Sequence, residues 1–418
     1  VIESEENTRD LAGLVVPRSG RLIATGEESE PYRLLDSRGA VVAPVEVFLR
    51  ELLAAGRAAP TLRSYGMDLL RWWRFLQAID GGWDRATRVE ARDFSCWIQL
   101  TVKQRRRVDR SDGAGWAKHR AAEANSVTGK PAPGDGYAPA TVAHSETVLR
   151  TFYDFHRDAG SGPILNPFPL DPSRRSRRAH AHRNPMDGWA RERVGRYRPK
   201  VRHRIPRAIP DHRFNELFAA LGSHRDRALV AFWISTGVRA SELLGLRHCD
   251  VDPGQQLITV VRKGTRACQQ VPASADAFVW LRLYQEQLHG QVPQGRIQPV
   301  WWTLRRPRRP LNYHAAHRMF ERANAVLGSD WTLHDLRHSA AARMARDPQL
   351  TLSDVQLVMG HAHLSTTEIY LTPNSGEVIA GVLAHHARTA EERDKPVPPP
   401  PAPGYDPQTL SVLFGRNL

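Results

Sequence analysis

Apolar positions along the chain fall into two helical blocks, separated by a segment too rich in arginine and proline to hold a helix. From Val42 onward, Val45, Val47, Phe48, Leu49 and Leu52 fall near helical spacing until Gly56 ends the run. Thr61 then stands where a cap would, and Leu62, Tyr65, Leu69, Trp72, Trp73 and Leu76 recur at three and four. Arg63, Asp68, Arg71 and Arg74 are placed on the opposite face, and the aromatic stripe reads as core. Residues 101–137 break the pattern with Lys103-Gln-Arg-Arg-Arg107 and then Gly, Asp, Ala and Pro, which predicts a long basic loop too polar to bury. Thr141 restarts a helix through Val148, Leu149, Phe152, Tyr153 and Phe155, stopped by Gly160 and Asn166-Pro167. Residues 1–40 mix charge, glycine and short apolar runs, and are expected to be a loosely attached extension with one short strand or hairpin.

The separating segment, 171–207, carries Arg174, Arg175, Arg177 and Arg178, then seven more basic residues from Arg191 to Arg204, interrupted by prolines. Beyond it, helices are predicted from Pro210-Asp211 to Leu221, over 225–235, and from Arg239. Gln256 to Arg262 is strand-like and β-branched, Lys263-Gly264-Thr265 turns it, and Arg266 to Val271 returns, so Lys263 is placed at a hairpin tip. Helices near 274–289 and 313–327 follow, with the basic patch Arg305-Arg306-Pro-Arg308-Arg309 between them. The tail holds a polyproline II spacer, Pro396 to Pro403, and then a short apolar end, Leu410 to Phe414, too small to fold alone.

The densest chemistry lies between Trp331 and Leu371. Thr332 occupies an N-cap position with Asp335 three residues on, so 333–346 is a helix with His334 and Arg337 on one face of its first turn. A second short helix runs from Ser353 to Met359, and Gly360 is its natural stop, leaving His361 at a loop corner. Ser365 or Thr366 caps a third short helix carrying Tyr370. Two histidines, an arginine and a tyrosine on such adjoining pieces can converge on a phosphate.

Composition narrows the class. Hydrophobic residues at 41% and charged residues at 25% suit a globular protein, and 418 residues suffice for two cores. A net charge of +15 favours a polyanionic partner, although a ribosomal or membrane-surface protein would carry the same charge. Cys96, Cys249 and Cys268 support neither a disulfide framework nor a zinc site and suit a reducing cytosol. No apolar run approaches the ~18–20 residues that span a bilayer. The acidic, polar start does not read as a signal peptide, so a cytoplasmic protein is expected.

Arg239 with Glu242 after Thr236-Gly237, the Lys263 turn, His334-x-x-Arg337, Gly360-His361 and Tyr370 nine residues later resemble the motif set of the tyrosine recombinases, or phage integrases. The likeness is strong over 206–385 and weaker over 42–168. It implies a mainly α fold with a small antiparallel β-sheet, built as a two-domain DNA clamp. The parts would be an N-terminal extension (1–41), a helical, SAM-like core-binding domain (42–168), a basic linker (169–207), a catalytic domain (208–390) and a proline-rich tail (391–418). The duplex partner would draw phosphate contacts from Arg71, Arg74, Arg105, Arg174, Arg175, Arg177, Arg178, Arg305 and Arg306. The tail would dock either on its own domain or on a neighbouring protomer. A homo-oligomer on DNA, tetrameric in the synaptic complex, and an accessory directionality factor complete the expected partners, with no membrane and with the protein nucleoid-associated when bound.

The implied reaction explains the residue types. A tyrosine is only ~0.1% ionised at neutral pH, and a phosphodiester repels nucleophiles, so Tyr370 needs charge neutralisation and help with its proton. Arg239 and Arg337 supply the first, because guanidinium forks match phosphate oxygens and stay charged. Lys263 is the expected general acid for the departing 5′ oxygen, His334 the acid–base partner, His361 a phosphate-orienting group, and Glu242 a support for Arg239. A 3′-phosphotyrosyl link stores the bond energy, so no metal, ATP or other cofactor is called for, and neither a phosphate loop nor a carboxylate cluster suited to magnesium stands out. Two other readings remain beside the recombinase: a type IB topoisomerase-like nicking-closing enzyme, and a catalytically silent DNA-binding protein of the same fold. The extension, insert and tail favour a mobile-element integrase or transposase over a compact chromosome-dimer resolvase.

Overall fold

The computed structural model describes residues 9–101, 124–132, 134–175, 193–201, 208–370, 382–389, 404 and 406–414. The chain divides into two compact units, Val1–Arg204 with Asn324–Trp331, and Ile205–Ala323 with Thr332–Leu418. Helix dominates both, and the sheets among the described residues are small and antiparallel.

In the first unit a hairpin of β1 (Arg21–Ala24) and β2 (Tyr32–Leu35) precedes helices α1 (Ala43–Ala54), α2 (Ala59–Ala78), α3 (Arg88–Leu100) and α4 (Pro139–Asp158). Strands β3 (Leu170–Arg175) and β4 (Arg193–Gly195) pair in the stretch expected to be a plain linker. The aromatic stripe of α2 is core: Trp72 is fully buried, packs edge-on to Phe94 and Phe168, and donates Nε1–H to the Tyr153 hydroxyl at 2.9 Å. Helices α2 and α4 start two residues ahead of the predicted Thr61 and Thr141, because Pro60 and Pro139 in their first turns need no N–H partner and have a helical φ built in. Helix α3 was not anticipated, although its Thr87/Glu90 capping box is readable in the sequence.

Three expectations are corrected here. The residues from 9 to 41 are not loosely attached, since Leu34 is 1% exposed within the core of this unit. Arg74 donates Nε–H to Ser19 O at 2.7 Å and an Nη2–H to Gly20 O at 2.8 Å, so its guanidinium ties that segment to α2. Asp68 is not on a solvent face but buried, accepting from Ser145 and Arg71 and meeting His144 Nδ1 at 2.7 Å. Arg71 lies over the Tyr137 ring and bonds to Ser145 and Asp68, so its donors too are directed inward.

The second unit comprises α5 (Asp211–Ala219), α6 (His224–Thr236), α7 (Ala240–Leu244), a sheet in the order β5 (Val251–Asp252), β6 (Leu257–Val261), β7 (Cys268–Pro272), then α8 (Ala275–Leu288), α9 (Tyr313–Leu327), α10 (Leu333–Arg346), α11 (Leu352–Met359) and α12 (Ser365–Glu368). Helix α6 is its axis: Ala228 to Trp233 are all buried, and it packs on α8 and α10. Over that run the helix is apolar all round and shows no polar face to water. The segment expected to be a bare apolar end is helical from Pro407 to Phe414, with Val412 and Leu413 exposed, and its proline spacer lies outside the described residues.

Candidate active site

Three helix ends build the site. Thr332 caps α10, its side chain accepting from the Asp335 N–H while Asp335 reaches back to Thr332. This fixes the first turn, where Arg337 is 3% exposed and His334 and His338 stack edge-on with ring centroids 4.3 Å apart. Helix α6 ends at Gly237 in the left-handed conformation (φ 63°), where a Cβ would meet Met359 Sδ at 2.5 Å. Helix α11 ends at Gly360 (φ 61°), where a Cβ would lie 2.8 Å from Arg262 Nε. Only glycine admits both the backbone sign and the close approach. Arg337 joins the two stops, donating to Gly237 O at 2.6 Å and to Met359 O at 2.7 Å.

Glu242 is the second anchor. Its carboxylate accepts from the Arg239 guanidinium at 2.9 Å, the Arg262 guanidinium at 3.1 Å, and the backbone N–H groups of Lys263 and Arg239, each at 3.0 Å. Burial alone would raise this carboxyl, but the two N–H groups and Arg239 outweigh it and hold it below the ordinary carboxylate range. Lys263 thus enters through its backbone, with its side chain exposed on the β6–β7 turn. Arg262 continues to Val358 O at 2.5 Å and Gln269 Oε1 at 2.7 Å, and Gln269 to Leu357 O at 2.8 Å, fastening the hairpin to α11.

Tyr370 stands two residues beyond α12, correcting its placement on that helix; its N–H bonds to Thr367 O at 3.0 Å. The ring is half-buried against the cluster of Ala341, Val355 and Met359, and its hydroxyl meets His338 Nδ1 at 2.7 Å. His361 stacks parallel to that ring at 6.2 Å between centroids and pairs through Nδ1 with Thr367 Oγ1 at 2.9 Å. Burial raises the Tyr370 phenol, and Arg337 offsets part of that rise. Burial, then Arg337 and Arg239, push His361 down to about 4, and His334 is pulled the same way by partial burial and by Arg337. Burial beside Arg239 brings even the Arg337 guanidinium down to about 10.

The depressed His361 makes a pH prediction. A histidine at about 4 when folded and 6.5 unfolded leaves the unfolded chain binding more protons between those values. Stability is therefore unaffected above about pH 6.5 and is lost as pH falls toward 4, by on the order of 1–2 kcal/mol once solvent screening of this partly exposed ring is allowed for. Urea unfolding at pH 7 and pH 4.5 should show a smaller acid loss for His361→Asn than for wild type; equal losses would remove His361 from the account.

Arg239, Glu242, Arg337, His334, His361 and Tyr370 are thereby brought into one network. Two further participants, Arg262 and His338, are not among the site residues expected from the sequence. Arg262 was signalled by alternation, since Ile258, Val260 and Arg262 share the buried side of β6. His338 was signalled by its spacing, four residues past His334 on one helix face. Of the arginines expected at phosphates, Arg305 and Arg306 are exposed. Arg174 and Arg175 have their backbone in β3, while Arg105, Arg177, Arg178 and the side chains of Arg174 and Arg175 lie outside the described residues. No described helix is long and apolar enough to cross a membrane.

Residues 208–377 match the phage integrase family. The tyrosine recombinase XerC of Roseiflexus sp. is 26% identical over 335 residues, 78% of this chain and 88% of that protein. The tyrosine recombinase XerD of Neisseria meningitidis serogroup B is 29% identical over 195 residues, 46% of this chain and 66% of that protein. The chain thus spans just under two thirds of that relative. Among solved structures, the Tn1549 transposon integrase in complex with a circular intermediate DNA superposes with a TM-score of 0.54 at 13% identity, covering 82% of this chain and 99% of that one. A lambda integrase dimer bound to a core site gives 0.52 at 16% identity, covering 78% and 76%. At such identities the likeness is one of fold.

Proposed function

Since the chain belongs to the tyrosine recombinase family, we propose that it is a site-specific DNA recombinase of the integrase or transposase type, cleaving and rejoining strands through a 3′-phosphotyrosyl intermediate. One observation carries the reading: the Tyr370 hydroxyl is presented on the same cluster in which Arg337, Arg239 and His361 act on one another's charge. A scissile phosphate placed there meets two guanidinium groups, one locked by carbonyls and one by Glu242, before any covalent step. Prepositioned cations of this kind act on the charge that develops on the phosphorane oxygens. His361, neutral at working pH, donates a hydrogen bond to a phosphate oxygen without adding a charge. Lys263 on its turn reaches the departing 5′ oxygen and protonates it. Exposed Arg305 and Arg306, with the arginines of 174–178, hold the duplex by its backbone. Oligomerisation on DNA, to a tetramer in the synaptic complex, and an accessory directionality factor belong to the same proposal.

The test uses duplex DNA carrying the element's end, nicked beside the cleavage point so that the short fragment diffuses away. The wild-type chain should accumulate a covalent adduct without added metal or ATP, mapping by peptide mass to residue 370, and two end-bearing duplexes should exchange strands. Supercoil relaxation without exchange would replace the reading with a nicking-closing enzyme. Binding without any adduct would leave a silent DNA-binding protein.

A further inference from the structure

Resting on the reading of Tyr370 as nucleophile, we propose that His338 is a further catalytic residue, its Nδ1 taking the phenol proton as the Tyr370 oxygen attacks the scissile phosphate. The geometry is direct. His338 Nδ1 lies 2.7 Å from the Tyr370 hydroxyl, within the reach required of a general base, and the two rings are tilted at 47° with centroids 5.6 Å apart. The other histidines are arranged differently. His361 stacks flat on the Tyr370 ring, and its Nδ1 is engaged by Thr367 Oγ1 at 2.9 Å. His334 meets the edge of His338, one turn back on α10.

A buried phenol needs such a partner more than an exposed one does, because burial disfavours its anion. His334 meets the His338 ring edge-on, His361 after α11 is close enough to feel its charge, and Arg337 precedes it on α10. The step balances. The bond from the Tyr370 oxygen to phosphorus forms, the bond from phosphorus to the 5′ oxygen breaks, the phenol proton moves to His338 Nδ1, and the leaving oxygen takes a proton from Lys263. On rejoining, the 5′ hydroxyl attacks, its proton returns to Lys263, and His338 gives its proton back to Tyr370.

The experiment measures the adduct rate on the nicked duplex at saturating DNA. His338→Ala should lower it by about 10²–10⁴-fold with DNA affinity unchanged. His338→Asn keeps a hydrogen-bond acceptor near the hydroxyl but cannot take its proton, so it should be comparably slow. Two readouts separate proton transfer from packing. Free imidazole should restore part of the His338→Ala rate. Trifluorotyrosine at position 370, a more acidic phenol, should shrink the gap between wild-type and His338→Ala proteins. Near-wild-type rates in both variants, or a loss that neither imidazole nor trifluorotyrosine moves, overturns the proposal while an adduct at Tyr370 keeps the underlying reading intact. An adduct mapping to another residue overturns both.

Discussion

Tyr370→Phe is expected to abolish adduct formation and strand exchange while leaving DNA binding intact. The substitution removes one oxygen and keeps the ring that packs on Ala341, Val355 and Met359, so the small apolar cluster survives. The lost hydrogen bond to His338 Nδ1 is at a half-buried position and costs about 1 kcal/mol of stability. A packing residue would tolerate that loss with activity nearly unchanged. A nucleophile would not, because no carbon atom can replace the attacking oxygen. The comparison is made at equal DNA occupancy on the nicked duplex, with thermal melting as the control for folding. An adduct formed by the Tyr370→Phe protein at any substantial rate places the nucleophile elsewhere.

What the sequence carried and what it hid divide along local and long-range lines. Thr332 with Asp335, Thr351 with Asp354, and the left-handed Gly237 and Gly360 are contacts within one helix turn, so the helix ends that position Arg337 and His361 are readable from residue order alone. Asp68 looked like a surface carboxylate because His144 and Ser145, which bury it, are 76 and 77 residues away. Arg74 looked like a phosphate ligand because the carbonyls it binds belong to the segment before β1, 54–56 residues upstream. The same holds at the site. Arg239 and Glu242 are neighbours in one turn, but that Glu242 also carries Arg262, 20 residues on, depends on the β6–β7 hairpin folding back over α7. Tyr370 fell outside its helix because α12, with Leu364 rather than Ser365 at its N-cap, stops after one turn at Glu368, an end that no local propensity decides.

Arg239 and Arg337 should separate when each is replaced. Arg239→Ala removes a guanidinium whose side chain is 30% exposed and whose partner, Glu242, keeps Arg262 and two backbone N–H groups. Stability should change little, while the adduct rate should fall by at least about 10²–10³-fold, the usual loss for one prepositioned donor to a developing oxyanion. Arg337→Ala removes a buried group that holds Gly237 O and Met359 O, leaving two buried carbonyls unpaired at about 1–3 kcal/mol each. That variant should lose rate and melt several degrees lower, because the stops of α6 and α11 are no longer joined. Arg337→Lys sharpens the point. A lysine keeps the charge, but its single nitrogen cannot span two carbonyls and a phosphate oxygen, so the rate should stay low even where folding recovers. Adduct rates and melting curves for the three proteins decide it. Equal stability losses in Arg239→Ala and Arg337→Ala, or a wild-type rate in Arg337→Lys, would show that Arg337 is not the fixed fork between the two helix stops.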